Sequence, residues 1–346
     1  MMRVNSHLRA AMICLTVAIT VAAPAPRASA DETPSSEVPA STPRDDDGPE
    51  LGSIINHDHE PLVVRSKPVI ERLPVKVIEP VDLKIASDGV LYVADRRAEC
   101  VFRLDVDGAV SFAVQQLPGI QRVQLDRDDN LFVLTSSGGE SAIHQITSSG
   151  RRVVLETFEF PASAFVRDPS GETIVVAANT GRIMALSSDG DLTERAALPA
   201  IVNDVALNAG RQVEALLSSG HVASIPVDGK YEFVGFAPLD SSRLLLRPDG
   251  AMIALNAGAG ERTGLFVVSR GLDRPDTFEV AAHVPAGTQG VGFDALGNLC
   301  LVNPDLRAVT KVTTRFKVPC PHCSRPMLMI LSTDEPAATS AKSRKF

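Results

Sequence analysis

Aromatic side chains are scarce in this chain of 346 residues, which contains no Trp, two Tyr and 13 Phe. Aromatic platforms carry much of the recognition of nucleic-acid bases and sugars, and Trp and Tyr are enriched in the hot spots of protein interfaces. Tyr92 and Tyr231 are the two phenols, and most of the Phe residues fall within apolar strand patterns that core packing explains. The composition therefore favours a polar recognition surface over an aromatic one.

An excess of basic residues is also missing. From Pro61 onward the chain has 30 Lys and Arg against 33 Asp and Glu. Nucleic-acid binding needs a concentrated basic surface, because contacts to phosphates supply most of its affinity. We therefore expect no nucleic-acid partner.

The one long apolar run at the N-terminus, Ala10 to Ala23, is too short to span a bilayer with room to spare. Arg3 and Arg9 precede this run and Ala28-Ser29-Ala30 follows it, which is typical of a secretory signal peptide over residues 1–30. We predict a secreted or periplasmic protein with no membrane span after the signal is removed. An uncleaved N-terminal anchor is the alternative.

Two segments at the ends of the chain have compositions typical of disorder. Residues 31–60 contain nine acidic residues and one Arg among many Pro and Ser, so they cannot bury enough apolar surface to fold. We expect a disordered acidic linker there and a flexible tail over residues 332–346. The His57-Asp58-His59 segment of the linker has metal-ligand chemistry, but in a flexible acidic segment it is interpreted as solvated.

A repeat organises the rest of the chain. The stretch DLKIASDGVLYVAD, Asp82 to Asp95, has two short apolar strands joined by an Asp88-Gly89 turn, which is a hairpin signal. Similar stretches follow, and their turn residues are spaced 41, 41, 39, 40 and 47 residues apart. These turn residues are Gly89, Asn130, Gly171, Gly210, Gly250 and Gly297. A period near 40 residues in strand-only units predicts the blades of a β-propeller.

Each unit continues into a second hairpin, as in VFRLDVDGAVSFAV from Val101. Four strands in each of six units predict an all-β fold, a six-bladed propeller of four-stranded antiparallel blades over residues 61–318. We expect the segment Pro74 to Glu79 to supply the strand that closes the ring. A short hairpin with a CxxC turn, residues 319–331, should follow the last blade.

The segments LKIASDGVLYVAD and VFRLDVDG resemble the NHL repeat and, more loosely, the gluconolactonase-type six-bladed propellers. The resemblance covers roughly residues 74–318 and implies a propeller. It does not imply one function, because such propellers serve both as binding scaffolds and as enzymes.

Polar residues recur where the innermost strand of each predicted blade begins. Aligned on the turns, these residues are Asp82, Arg122, Ser163, Asp204, Arg243 and Gly290, with Asn203 and Gln289 beside them. Propeller ligands bind at this mouth of the channel. We predict ligand binding by Asp82, Arg122, Asn203, Asp204, Arg243 and Gln289. Three interpretations stay open, namely Asp–Arg pairs that join neighbouring blades, an anion-binding mouth and a metal site.

The gluconolactonase resemblance implies a divalent cation in the channel, and Asn203-Asp204-Val205 is similar to the Asn-Gly-Leu ligand segment of that family. The family's early Glu and late Asp-Gly-Met segments have no counterpart, and Arg122 and Arg243 oppose cation binding. The metal is therefore left unknown: we expect no cofactor, with Ca²⁺ or Zn²⁺ as the alternative.

Histidine offers no general base at these positions. His144, His221 and His283 fall on or beside outer strands of three blades. We therefore predict an exported, non-catalytic and monomeric propeller that binds a protein or a small ligand through its channel face. The alternatives are a metal-dependent, gluconolactonase-like hydrolase and a scaffold within an envelope assembly.

Four Cys follow the signal segment, and Cys320-Pro-His-Cys323 is a CxxC motif. Export favours a disulfide between Cys320 and Cys323. Half of a zinc-ribbon site and a thioredoxin-like redox pair are the alternatives. Cys100 and Cys300 fall in the first and sixth blades, which are neighbours in a closed ring, so a disulfide between them is a further alternative.

Overall fold

The computed structural model describes residues 61–168, 170–257, 263–320 and 325–332. All regular structure within these residues is β-structure, in seven sheets. The prediction of an all-β propeller is confirmed. Six of the sheets contain the repeats and form the blades, and the seventh joins the two ends of the described chain.

Two strands precede the first repeat, and the blades follow in chain order. They are β1 (Leu62–Arg65) and β2 (Val69–Arg72). Blade 1 contains β3 (Pro80–Ile85), β4 (Leu91–Asp95), β5 (Cys100–Leu104) and β6 (Val110–Val114). Blade 2 contains β7 (Ile120–Leu125), β8 (Leu131–Ser137), β9 (Glu140–Ile146) and β10 (Arg152–Phe158). Blade 3 contains β11 (Ala162–Arg167), β12 (Thr173–Ala177), β13 (Arg182–Leu186) and β14 (Leu192–Ala197).

The second half of the chain repeats this order with more irregular outer strands. Blade 4 contains β15 (Val202–Leu207), β16 (Val213–Leu217), β17 (His221–Ile225) and β18 (Glu232–Phe236), with β22 (Ser269–Arg270) added outside. Blade 5 contains β19 (Arg243–Leu246), β20 (Met252–Asn256), β21 (Gly264–Val267) and β23 (Val280–Ala282). Blade 6 contains β24 (Gly290–Phe293), β25 (Leu299–Asn303) and β26 (Ala308–Thr313), with β2 as its fourth strand.

The innermost strands of the six blades form a closed ring. Each of them contacts the next one around the ring, and β24 of blade 6 contacts β3 of blade 1. Apolar side chains fill the spaces between blades, as in the cluster that joins Leu83 and Val93 of blade 1 to Val302 of blade 6. The closed ring of innermost strands therefore places their first residues around a central channel.

The ring is closed by an N-terminal strand, but not by the predicted segment. Strand β2, Val69–Arg72, pairs antiparallel with β26 of blade 6. The predicted segment Pro74 to Glu79 leads instead into blade 1, where the N–H groups of Ile78 and Glu79 donate to the carboxylate of Asp95 at 2.5 and 3.1 Å. These donors are satisfied by a side chain, so they are not available for a strand ladder.

The seventh sheet has the order β1-β28-β27, with β27 (Arg315–Pro319) and β28 (Pro326–Ser332) antiparallel and β1 parallel to β28. Asn298 holds the start of β27, because the Oδ1 of Asn298 accepts hydrogen bonds from the N–H groups of Thr314 and Arg315, both at 2.9 Å. The two strands of the predicted hairpin are present, and residues 321–324 between them lie outside the described residues. Cys320 is buried and its N–H donates to the Arg325 carbonyl, whereas Cys323 lies outside the described residues.

No helix among the described residues is long and apolar enough to cross a bilayer. The signal segment 1–30, the linker 31–60 and the tail from residue 333 lie outside the described residues.

Candidate ligand-binding channel

Local strand geometry decides which residue of each blade faces the channel. In blades 1 to 4 the pairing of the first two strands skips one residue, so that a β-bulge falls on Val81, Gln121, Ser163 and Asn203. The residue after each bulge begins the regular ladder. Counted back from the first turn residue of each hairpin, the equivalent positions are Asp82, Arg122, Ala164, Asp204, Arg243 and Gly290. Ala164 therefore takes the place that the sequence alignment gave to Ser163.

A cavity of about 280 Å³ lies inside the ring, and all six blades line it. Four of the six predicted site residues lie here, namely Asp82, Arg122, Asp204 and Arg243. Two further cations, Lys84 and Arg167, line it as well. The cavity thus contains four cationic side chains and two carboxylates.

Asp82 and Asp204 occupy equivalent positions in blades 1 and 4 and are both buried. Each carboxylate accepts a hydrogen bond from the backbone of the next blade: Asp82 from the N–H of Val123 at 3.0 Å, and Asp204 from the N–H of Leu244 at 2.9 Å. No ion pair among the described residues joins either carboxylate to Arg122 or Arg243. The predicted Asp–Arg pairs are therefore replaced by links from carboxylate to backbone, because the bulge aims each carboxylate at the neighbouring strand.

The two arginines differ in how their hydrogen-bonding groups are satisfied. Arg243 is buried and donates from Nε to the Gln289 carbonyl at 2.7 Å and from Nη2 to the Val81 carbonyl at 2.9 Å. Arg122 has one long contact, from Nη1 to the Gln121 carbonyl at 3.4 Å. The Nε of Arg122 is buried without a hydrogen-bond partner. An unsatisfied buried donor of this kind is costly unless a ligand or an ordered water satisfies it.

Burial raises the pKa of both carboxyl groups. The pKa of Asp82 is raised by burial, although Lys84 and Arg122 nearby favour its charged form. The pKa of Asp204 is raised by burial to about 6, against the opposing influence of Arg122 and the Leu244 N–H. The negative charge of the cavity therefore falls as the pH drops from neutrality through about 6.

A second cavity of about 370 Å³ lies at the other end of the innermost strands and shares Arg122 and Arg243 with the first. Gln289 lines this second cavity, beside Asp240, which has a φ of 64°. The two arginines therefore stand between the cavities. Asn203 lines neither cavity as the described residues form them, and its Nδ2 donates to the Ser241 carbonyl at 2.9 Å.

The channel residues do not fit a divalent cation. Hard cations prefer several carboxylate and carbonyl oxygens. Here the two carboxylates each have one oxygen bound to a backbone N–H, the amide of Asn203 is bound to a backbone carbonyl, and four cations surround the site. The described ranges contain no cluster of three or more His, Cys, Asp or Glu side chains with metal-binding geometry.

The histidines of the described ranges lie away from the channel cavities. His144 is buried in β9, where its Nε2 lies 3.0 Å from the Thr135 hydroxyl, and burial lowers its pKa to about 4. His221 packs against the rings of Phe233 and Phe236 in blade 4. His283 is exposed. None of the three lines either cavity, so the described part of the chain places no imidazole base in the channel.

The sequence alignment missed Lys84 and Arg167 because it considered only the first residue of each innermost strand. Strand side chains alternate, so Lys84 follows Asp82 on the same face. That rule would have found Lys84. Arg167 lies three residues after Ala164, so the alternation of side chains does not predict it on the face of Ala164. Its guanidinium lies over the ring of Phe132, 4.7 Å from the centroid, and donates to the Thr173 hydroxyl at 3.2 Å.

Comparison with solved structures finds other propellers. A streptogramin B lyase has 13% identity and a TM-score of 0.53 over 71% of this chain and 98% of that chain. A virginiamycin B lyase from Staphylococcus aureus has 14% identity and a TM-score of 0.54 over 71% and 99%. A gluconolactonase from Xanthomonas campestris has 12% identity and a TM-score of 0.55 over 74% and 98%.

No protein-family model matches the sequence, and the search of curated proteins gives no match. At identities of 12–14% the likeness to the solved structures establishes the fold alone. The chain thus shares the propeller fold of lyases and gluconolactonases.

Proposed function

We propose that the protein is an exported, non-catalytic propeller that binds a small organic anion in its central channel. The observation that carries the proposal is the charge arrangement of the cavity. Lys84, Arg122, Arg167 and Arg243 line it, and none of the four takes part in an ion pair among the described residues. The two carboxylates that line it are bound to backbone N–H groups and have raised pKa values.

Electrostatics favours an anion at this place. Lys84, Arg122 and Arg167 are partly buried and Arg243 is buried, and a bound carboxylate adds charge-assisted hydrogen bonds to cations that no carboxylate pairs with among the described residues. Arg122 is the best placed donor, because its Nε is buried without a partner and its guanidinium faces both cavities. Arg243 contributes mainly the electrostatic attraction of its positive charge for the anion, since two of its nitrogens already donate to backbone carbonyls.

The hydrolase alternative has less support. A lactonase of the gluconolactonase type needs a metal ion, and the donors in this channel do not suit one. An imidazole base is also missing from the cavity linings formed by the described residues. The hydrolase interpretation would regain weight if the purified protein retained stoichiometric Ca²⁺ or Zn²⁺ and opened a lactone ring.

Isothermal titration of the protein with benzoate in a chloride-free buffer tests the proposal. We expect saturable binding that weakens with ionic strength, and a loss of at least tenfold in affinity in Arg122→Gln. Arg182→Gln is the matched control, because Arg182 is an exposed residue paired with Glu194 far out on blade 3. Absence of saturable binding, or equal losses in the two variants, would refute the proposal.

Three further parts of the proposal concern the whole chain. We propose that the repeats are of NHL type, on the basis of the recurring turn in which the N–H of Gly89 donates to the Ala86 carbonyl. Export rests on the sequence of residues 1–30, and monomeric behaviour on the closed ring. Cleavage after Ala30 in the mature protein and the mass measured by light scattering test these two points.

A further inference from the structure

The channel cavity is layered along the strands. The charged residues stand at the first position of the innermost strands, and Lys84 stands two residues further on. One residue beyond the position of Lys84, five of the six blades contribute an apolar side chain to the lining of the cavity. These side chains are Ile85, Leu125, Leu207, Leu246 and Phe293. Arg167 occupies the position in the remaining blade, with its guanidinium held against Phe132.

The spacing of these layers sets the dimensions of a ligand. Strands rise about 3.3 Å per residue, so the apolar ring lies roughly 10 Å from the arginines along the channel. A cavity of about 280 Å³ holds roughly nine water-sized volumes, which corresponds to a ligand of about ten non-hydrogen atoms. Such a ligand reaches from Arg122 to the apolar ring only if it is elongated.

The wall between the two layers is also mostly apolar. Val166, Ala206, Leu245 and Gly292 contribute to it, and the amide of Gln124 is bound to the Phe165 carbonyl at 3.0 Å. Lys84 is the exception and adds a third cation near Arg122 and Arg243. The cavity is therefore charged at the end where the innermost strands begin, with Asp82 and Asp204 beside the cations, and apart from Arg167 it is apolar at its other end.

We propose that the ligand is a medium-length amphipathic carboxylate, bound with its carboxylate at Arg122 and Lys84 and its hydrocarbon body inside the apolar ring. The inference rests on the proposed anion-binding function and adds the chemical class of the anion. Removal of apolar surface from water is favourable, so burial of the hydrocarbon body adds to the affinity of the carboxylate. Inorganic anions and short acids lack that contribution.

Titration calorimetry of the full chain with octanoate, acetate, octylamine and octanol at pH 7.5 tests the inference. We expect octanoate to bind at least tenfold more tightly than acetate, and octylamine and octanol to bind at least tenfold more weakly than octanoate. Arg122→Gln should weaken both acids. Leu246→Asn should weaken octanoate at least fivefold and leave acetate unchanged.

Leu192→Asn is the control for Leu246→Asn, because Leu192 is 38% and Leu246 39% exposed and Leu192 is not part of the cavity. Equal affinities for octanoate and acetate, both dependent on Arg122, would overturn this inference and leave anion binding intact. Binding of octanol as tightly as octanoate would overturn it too. If neither acid binds, the proposed function fails with it.

Discussion

Arg243 of blade 5 donates a hydrogen bond from Nη2 to the carbonyl oxygen of Val81 in blade 1, at a distance of 2.9 Å. The same guanidinium donates from Nε to the Gln289 carbonyl at the start of blade 6. Gly290, the next residue, has no side chain in the path. One buried side chain therefore ties together three blades at the seam where the first and last repeats meet.

Removal of this guanidinium should destabilise the ring. In Arg243→Met the buried carbonyl of Val81 and the part-buried carbonyl of Gln289 lose their donor, and we expect the free energy of unfolding to fall by about 2–4 kcal/mol. Arg247→Gln, which breaks the more exposed pair with Asp249, should cost under about 1 kcal/mol. Urea denaturation of both variants measures the difference. Equal costs would mean that the seam does not depend on Arg243.

Much of this fold was predictable because the repeats are punctuated by hairpin turns and the innermost strands begin with polar residues. The ring of Asp82, Arg122, Asp204 and Arg243 follows from that alignment. The bonding of these side chains does not, because a bulge before each ladder rotates the carboxylate toward a backbone N–H. A single-residue bulge leaves no clear mark in a sequence, and the same uncertainty placed Ser163 where Ala164 stands.

The closing strand was misplaced for a related reason. The segment LVVRSKPVIERLPVKV contains two β-branched stretches, and propensity does not distinguish them. The choice is made by tertiary contacts: Val75 and Val77 are buried between blades 1 and 6, while Val69 and Ile70 are exposed on the outer strand. A segment with both side-chain faces exposed pairs mainly through its backbone, here with one side-chain hydrogen bond from Arg72 Nη2 to the Arg307 carbonyl at 3.0 Å.

Deletion of Val69–Arg72 should therefore destabilise the propeller, because it exposes the edge of β26 and opens the ring. The double substitution Val69→Thr and Ile70→Ser is the control. Both side chains are more than half exposed, at 51% and 70%, so their removal should change the midpoint of thermal unfolding little. Calorimetry decides the matter: an unchanged midpoint after the deletion would show that closure does not need β2.

Gly290 should tolerate no side chain. A Cβ at this position would lie 2.8 Å from the Cα of Asp82 and 2.7 Å from Cγ2 of Val302. We expect Gly290→Ala to lower the free energy of unfolding by about 1–3 kcal/mol through overpacking. Gly210→Ala, where the nearest atom is the side-chain oxygen of Asn208 at 3.3 Å, is the control. A neutral effect of Gly290→Ala in urea denaturation would contradict the close packing of blades 1 and 6.

The thiols of the chain should fall into two classes. Cys100 and Cys300 are buried free thiols in one apolar cluster, and burial raises the pKa of each to about 12. They should resist thiol reagents in the folded protein, because the thiolate is the reactive form. In unfolded protein with Cys14→Ser, we expect two reactive thiols before reduction and four after it, if Cys320 and Cys323 form a disulfide. Four thiols before reduction would exclude that disulfide.

Asp204 should make the stability of the protein depend on pH. Its pKa is about 6 in the folded state and 3.8 as the ordinary value, so between these pH values the folded state binds the proton more tightly. The contribution of this group to stability is thus present at low pH and is lost as the pH rises from about 4 to about 6. The loss amounts to at most about 3 kcal/mol, at 1.36 kcal/mol per pKa unit.

Asp204→Asn removes this dependence, because an amide oxygen still accepts the hydrogen bond from Leu244 and carries no charge. We expect the variant to gain stability over the wild type at pH 7.5 and to lose that advantage at pH 4. Urea denaturation across this range measures the difference, and Asp189→Asn, a change at an exposed turn, should leave the wild-type profile unchanged. A constant difference between Asp204→Asn and wild type at all pH values would mean that Asp204 keeps its ordinary pKa in the fold.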